Sequence, residues 1–199
     1  MFNELTNKVG EYYKCDCQDV FFDILSTELN LEGVVYFYQN SIPPVIEQLE
    51  KYFWPIEQSI RNATCSNKLD LSISNVLRKK YQSNWKEICA QAINKSFCEN
   101  LMRKIQGVLA IADNENEEIN QQIVDFIKKF GEIALQMMIS DPPLLMNVEE
   151  IGQKVSYNQH KQESMDGFIK TNEDCYVILP SVYKLNINNA DNGSQSISS

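Results

Sequence analysis

Apolar residues recur along this chain in blocks of helical period, separated by polar or proline-rich breaks. Residues 18–30 place Val20, Phe21, Ile24, Leu25 and Leu29 on one helix face. A second apolar stretch, Leu31 to Ile42, runs into Pro43-Pro44. Two consecutive prolines remove two backbone donors, which predicts a break there. A helix then restarts at Pro44, where proline is tolerated in a first turn. It carries Val45, Ile46, Leu49, Tyr52 and Phe53, with a kink or stop near Trp54-Pro55.

Residues 62–70 read as a loop, and Leu71 to Tyr81 as a short helix. Trp85, Ile88, Cys89, Ala92, Ile93, Phe97, Leu101, Ile105 and Val108 follow at helical spacing. They predict one long amphipathic helix that ends before the polar turn Asp113-Asn114-Glu115-Asn116. The clearest signal covers residues 115–140. Glu115, Glu117 and Glu118 crowd its first turn and complement the helix dipole. Ile119, Ile123, Phe126, Ile127, Phe130, Ile133, Ala134 and Met137 form its apolar face, and Asp141-Pro142-Pro143 ends it.

Beyond Pro143 the periodicity fades. Tyr176 to Tyr183 is β-prone, but Pro180 limits it to an edge strand or an extended segment. The polar end, rich in Asn, Ser, Gly and Asp, reads as disordered. The expected fold is mainly α: a helical bundle with an irregular C-terminal segment holding a short extended or β element. The expected organisation is one interaction domain over 18–184, a flexible segment over 1–17 and a disordered tail over 185–199.

Composition adds a direction to this picture. The 199 residues suit a single core, and the net charge is −9. Residues 1–114 carry 12 Lys+Arg against 14 Asp+Glu, and residues 115–199 carry 6 against 13. An acidic chain is a poor match for nucleic acid, which needs phosphate-neutralising cations. No apolar run approaches the length of a membrane span, the densest being Val34-Val35-Tyr36-Phe37-Tyr38. The start, Met1-Phe2-Asn3-Glu4-Leu5, lacks the apolar region of a secretory leader. Cys15, Cys17, Cys65, Cys89, Cys98 and Cys175 are therefore expected as reduced thiols of a cytoplasmic protein.

Candidate chemistry is sparse. The single histidine, His160, has no partner at zinc-hydrolase spacing, and Cys15-Asp16-Cys17 lacks a second pair. Phosphate-cradling glycine loops and a nucleophile elbow are absent. A Cys/His nucleophilic site would need His160 beside Cys98 or Cys175. Cys89 and Cys98 read more simply as small core hydrophobes. Glu117/Glu118 and Glu149/Glu150 are sequence neighbours, expected as solvated charge. Met137, Met138 and Met146, with Leu144 and Leu145, read as core filler rather than a groove for a partner helix. No catalytic residue, metal or cofactor is expected, and the chain reads as one that works by binding.

The basic residues offer the one candidate surface. Arg78, Lys79 and Lys80 cluster, and Lys86, Lys95, Arg103 and Lys104 follow on the next predicted helix. If those two helices lie side by side, the charges gather where an anionic lipid head group or an acidic protein would dock. A solvated helix face is the plainer alternative.

Ala134-Leu135-Gln136-Met137-Met138-Ile139-Ser140-Asp141-Pro142-Pro143 closes a helix on a double proline. A stretch with Tyr157 and His160 follows, then Phe168-Ile169-Lys170-Thr171 and Val177-Ile178-Leu179-Pro180-Ser181-Val182. This order resembles the C-terminal domain of the mitochondria-eating protein family. Leu179-Pro180-Ser181-Val182 stands in place of that family's Trp-Pro-Ala-Leu-like element, without the Trp. The resemblance implies a non-enzymatic domain in mitochondrial quality control. It implies self-association and binding of an anionic mitochondrial lipid such as cardiolipin, peripheral on the outer membrane. A helical protein–protein scaffold unrelated to mitochondria is the competing expectation.

Overall fold

The computed structural model describes residues 2–13, 31–63, 71–109, 117–140, 144–157 and 172–184. Five helices lie among them: α1 (Phe2–Glu11), α2 (Leu31–Ala63), α3 (Leu71–Ala92), α4 (Lys95–Leu109) and α5 (Glu117–Met138). Four short strands follow: β1 (Leu144–Asn147), β2 (Lys154–Ser156), β3 (Asp174–Tyr176) and β4 (Ser181–Lys184). The fold is mainly helical with a short antiparallel C-terminal part, as the hydrophobic pattern predicts.

Helix α5 is the axis of the bundle. Ile123, Phe126, Ile127, Phe130, Ile133, Ala134, Leu135 and Met137 are all buried. A polar stripe of Gln121, Asp125, Lys128 and Glu132, with flanking Lys129, faces outward, as does Glu117 in the first turn. The other four helices and β1 pack around this girth. Gly131 marks a close crossing. A Cβ there would stand 2.9 Å from Ile93 Cγ1 and 3.6 Å from Val45 Cγ1. The lower helix propensity of glycine thus accompanies a close approach of α2 and the α3–α4 junction that a side chain would obstruct.

Three expectations need correction. First, α2 runs unbroken through Pro43-Pro44 and through Pro55. Its seam of Val34, Phe37, Tyr38, Ile42, Val45 and Leu49 is buried, with both prolines of the pair half-buried beside it. Each interior proline costs about 3 kcal/mol. Six large buried side chains at about 1.5–3 kcal/mol each outweigh that pair. Second, the expected helix over 85–108 is divided at Ile93-Asn94. Asn94 caps α4, its Oδ1 accepting the Phe97 N–H at 3.0 Å. The Gln48 amide on α2 donates to the Ala92 carbonyl at 3.2 Å, holding the end of α3. The expected boundary between 81 and 85 is instead a kink within α3 at Asn84 (φ −120°, ψ 17°).

Third, residues 2–13, expected to be flexible, form α1 and a π turn at Tyr12-Tyr13. Leu5, Val9 and Tyr12 are buried in the common core. The Tyr12 hydroxyl donates to the Phe126 carbonyl at 3.5 Å, and its ring stacks on Phe126 at 6.2 Å. Phe37, Tyr38 and Phe130 complete this aromatic junction of α1, α2 and α5. The predicted helix over 18–30, Cys15, Cys17, Cys65, His160, the double proline 142–143 and the tail 185–199 lie outside the described residues.

The strands form two nested antiparallel pairs. β1 pairs with β4, Leu144 opposite Lys184 and Asn147 opposite Ser181. Inside that pair, β2 meets β3, Lys154 opposite Tyr176 and Ser156 opposite Asp174. The β-prone stretch 176–183 is therefore split between β3 and β4, with Pro180 in the gap. A positive-φ residue marks each end of the inner pair. Gly152 (φ +86°) follows Ile151 in a type II turn, closed by the Gln153 N–H on the Glu150 carbonyl at 3.0 Å. Gly152 N–H then bonds Val177 O, and Val177 N–H bonds Gln153 O, the pattern of a G1 bulge. Asn172 (φ +72°) repeats it opposite Tyr157.

Two hydrogen bonds tie this ribbon to the helices. The Gln39 amide of α2 donates to the Ile151 carbonyl at 3.0 Å, and the Tyr13 hydroxyl donates to the Pro180 carbonyl at 3.3 Å.

Candidate functional site: a cationic helix face

Helix α3 is amphipathic about its kink. Tyr81, Cys89 and Ala92 are buried, and α3 packs on α5 and α2. Val76, Lys79, Lys80 and Ser83 recur at three- and four-residue spacing before the Asn84 kink and are exposed, which sets them along one side of that part of the helix; beyond the kink Lys86, Glu87 and Ala90 are exposed. Lys86 Nζ lies 5.6 Å from the centroid of the Trp85 ring, a cation–π contact. Trp85 itself is half-buried against the core. The side chain of Arg78 lies outside the described residues.

The remaining predicted cations sit on α4. Lys95 forms an i,i+4 ion pair with Glu99 at 3.7 Å. Arg103 and Lys104 are exposed, opposite the buried Leu101, Met102 and Ile105. α4 packs on α2 and α5 rather than along α3, so the side-by-side arrangement that would merge the two sets is not formed. The fold gathers Lys79, Lys80 and Lys86 on one helix and carries Lys95, Arg103 and Lys104 on another. Among the described residues, Lys79, Lys80, Lys86, Arg103 and Lys104 make no ion pair.

The thiols have the electrostatics of packing groups. Burial pushes the Cys89 thiol from its ordinary 9.0 up to about 12, with the nearby Glu132 and Cys98 adding to the shift. Cys98 is also raised, chiefly by burial, and its Sγ–H donates to the Ile93 carbonyl at 3.9 Å. Cys175, on β3, is raised by desolvation and by Asp174. An activated nucleophilic thiol needs the opposite shift. Among the described residues, no group of three His, Cys, Asp or Glu side chains converges as a metal donor set.

Other expectations divide. Met137 and Leu144 are buried, and Met138 and Met146 pack against the core, as filler would. Glu117 and Glu149 are exposed. Glu150 is half-buried and has a definite task. Its Oε1 accepts from Asn147 Nδ2 at 2.7 Å and its Oε2 from the Ser181 N–H at 3.4 Å. It bridges β1 and β4 where their ladder ends. Val76 drew no attention in the sequence. The signal that would have found it is an apolar residue three and four positions before Lys79 and Lys80, which shares their helix face.

These features define a class: a small helical bundle carrying a nested β ribbon and one cationic helix face. No helix among the described residues is long and apolar enough to cross a membrane. Comparison with protein-family models, with curated proteins and with solved structures returns no match.

Proposed function

We propose that this domain is a non-enzymatic binding module that docks on anionic lipid surfaces through the outer face of α3. One observation carries the reading: Lys79 and Lys80 stand on one helix face and Lys86 follows beyond the kink, none of them in an ion pair among the described residues, in a chain of net charge −9. Unpaired cations at a negatively charged membrane contribute about 1 kcal/mol each. Three such contacts suit a reversible, peripheral association. The raised thiols of Cys98 and Cys175 support a non-catalytic reading. The family resemblance adds the direction: a cardiolipin-containing mitochondrial surface, with self-association of the domain.

The test is flotation of the purified protein with phosphatidylcholine vesicles, with and without cardiolipin. Lys79→Glu, Lys80→Glu and Lys86→Glu together are expected to abolish the cardiolipin-dependent fraction. Raising the ionic strength is expected to weaken it in the parent protein. Flotation that is unchanged by the triple reversal removes α3 from the account. A protein that ignores every vesicle yet binds a defined protein partner is a scaffold instead.

A further inference from the structure

We propose that Val76 is an insertion residue, entering the acyl region of an anionic bilayer while Lys79, Lys80 and Lys86 hold its head groups. The inference rests on the reading of α3 as a lipid-facing helix and adds an apolar, penetrating component to it. Val76 is 67% exposed, and it is an apolar side chain amid cations. The only other large hydrophobics so exposed among the described residues, Tyr52 and Tyr176, carry hydroxyls and stand at 40% and 39%.

The position of Val76 fits this task. It lies three and four residues before Lys79 and Lys80, so the three share one helical surface. A helix lying flat on a membrane sinks its apolar side chains roughly 5–10 Å into the head-group boundary. Lysine stems are long enough to run back up and leave their ammonium groups at phosphate level. Ten residues separate Val76 from Lys86, about 15 Å along a helix. The contact is therefore short, with Trp85 and Lys86 at its far end beyond the Asn84 kink. Glu87 is the one exposed acid on this stretch. It follows Lys86 on the inner arm, which leaves the outer arm of Val76, Lys79 and Lys80 as the part that meets the lipid first.

The two components respond differently to salt. Head-group attraction fades as salt screens it, whereas burial of Val76 persists. The measurement is the partition constant onto phosphatidylcholine–cardiolipin vesicles at low and high ionic strength. Three proteins are compared with the parent: Val76→Asn, Val76→Leu and the triple lysine reversal. Val76→Asn is expected to lower partitioning about five- to ten-fold, with the residual binding more salt-sensitive. Val76→Leu adds one methylene and is expected to raise partitioning about three- to four-fold. An exposed site leaves the helical circular dichroism of both variants unchanged.

Equal partitioning of parent, Val76→Asn and Val76→Leu, with the triple reversal still abolishing binding, overturns the insertion and leaves a head-group contact. Partitioning that survives the triple reversal overturns the lipid-facing reading itself. A parent protein that binds neither vesicle type overturns both.

Discussion

The helical body and the nested ribbon are held together by different means. Around α5 the contacts are many, apolar and redundant, reaching from Leu5 to Met137. That redundancy carries α2 through two consecutive prolines. In the ribbon, the strands are three or four residues long and mostly half-exposed or exposed. A two-stranded pair of this size is marginal in water. It depends on single residues with specific conformations: Gly152, Asn172 and Glu150. Local rules of turn and helix chemistry can be overridden where burial is large, and they govern where burial is small.

Phe130→Ala tests the redundant side and carries the largest expected effect. Phe130 is wholly buried and stacks on Phe126 at 6.3 Å. Truncation is expected to cost about 3–5 kcal/mol, read as a fall in the urea midpoint of the whole domain. A loss below 1 kcal/mol would mean that the aromatic junction relaxes around the hole.

Gly152→Ala tests the other side. Alanine resists the +86° φ, and its Cβ would run into the Gln39 amide. Left-handed backbone costs roughly 1–2 kcal/mol, and losing the Gln39–Ile151 bond about 1 kcal/mol more. The expected outcome is faster hydrogen exchange at the Val177 amide, with exchange on α5 little changed. Equal acceleration in both regions would show that ribbon and bundle unfold as one unit and would erase the contrast.

The smallest effect is read in the slope of stability at alkaline pH. The Cys89 thiol is neutral when folded and has its pKa raised from 9.0 to about 12. The folded state therefore holds a proton that the unfolded chain releases, and stability falls as pH rises through that window. Cys89→Ala is expected to flatten this alkaline decline while lowering stability at neutral pH through the lost packing. A decline of unchanged slope would assign it to other groups.

Much of the bundle was legible in the sequence. The apolar period of 115–140 locates α5 almost to its ends, because seven of its eight apolar positions are buried and Ile119 packs half-buried beside them. The break at Asn94 was missed although Asn is a strong cap, since the apolar period runs straight across it. The ribbon was only half visible. Strands of three and four residues carry too few positions for alternation to register, and the pairing of residues 144 and 184 is far from local. Of the candidate surface, the cations were legible as residues. Their division between α3 and α4, and the exposure of Val76 beside one set, were not.

The sequence by itself determined the helical class, the amphipathic helix over 115–140 and the absence of a long apolar run, because side-chain period and run length are local properties. It also carried every positive charge of the candidate surface. Only the tertiary structure decided that Pro43-Pro44 lies within a helix, that residues 2–13 join the core, and that Lys79 and Lys80 share an exposed face with Val76. The physical reason is common to all three. Each depends on which side of a helix other elements cover, and that cover comes from residues distant in the chain.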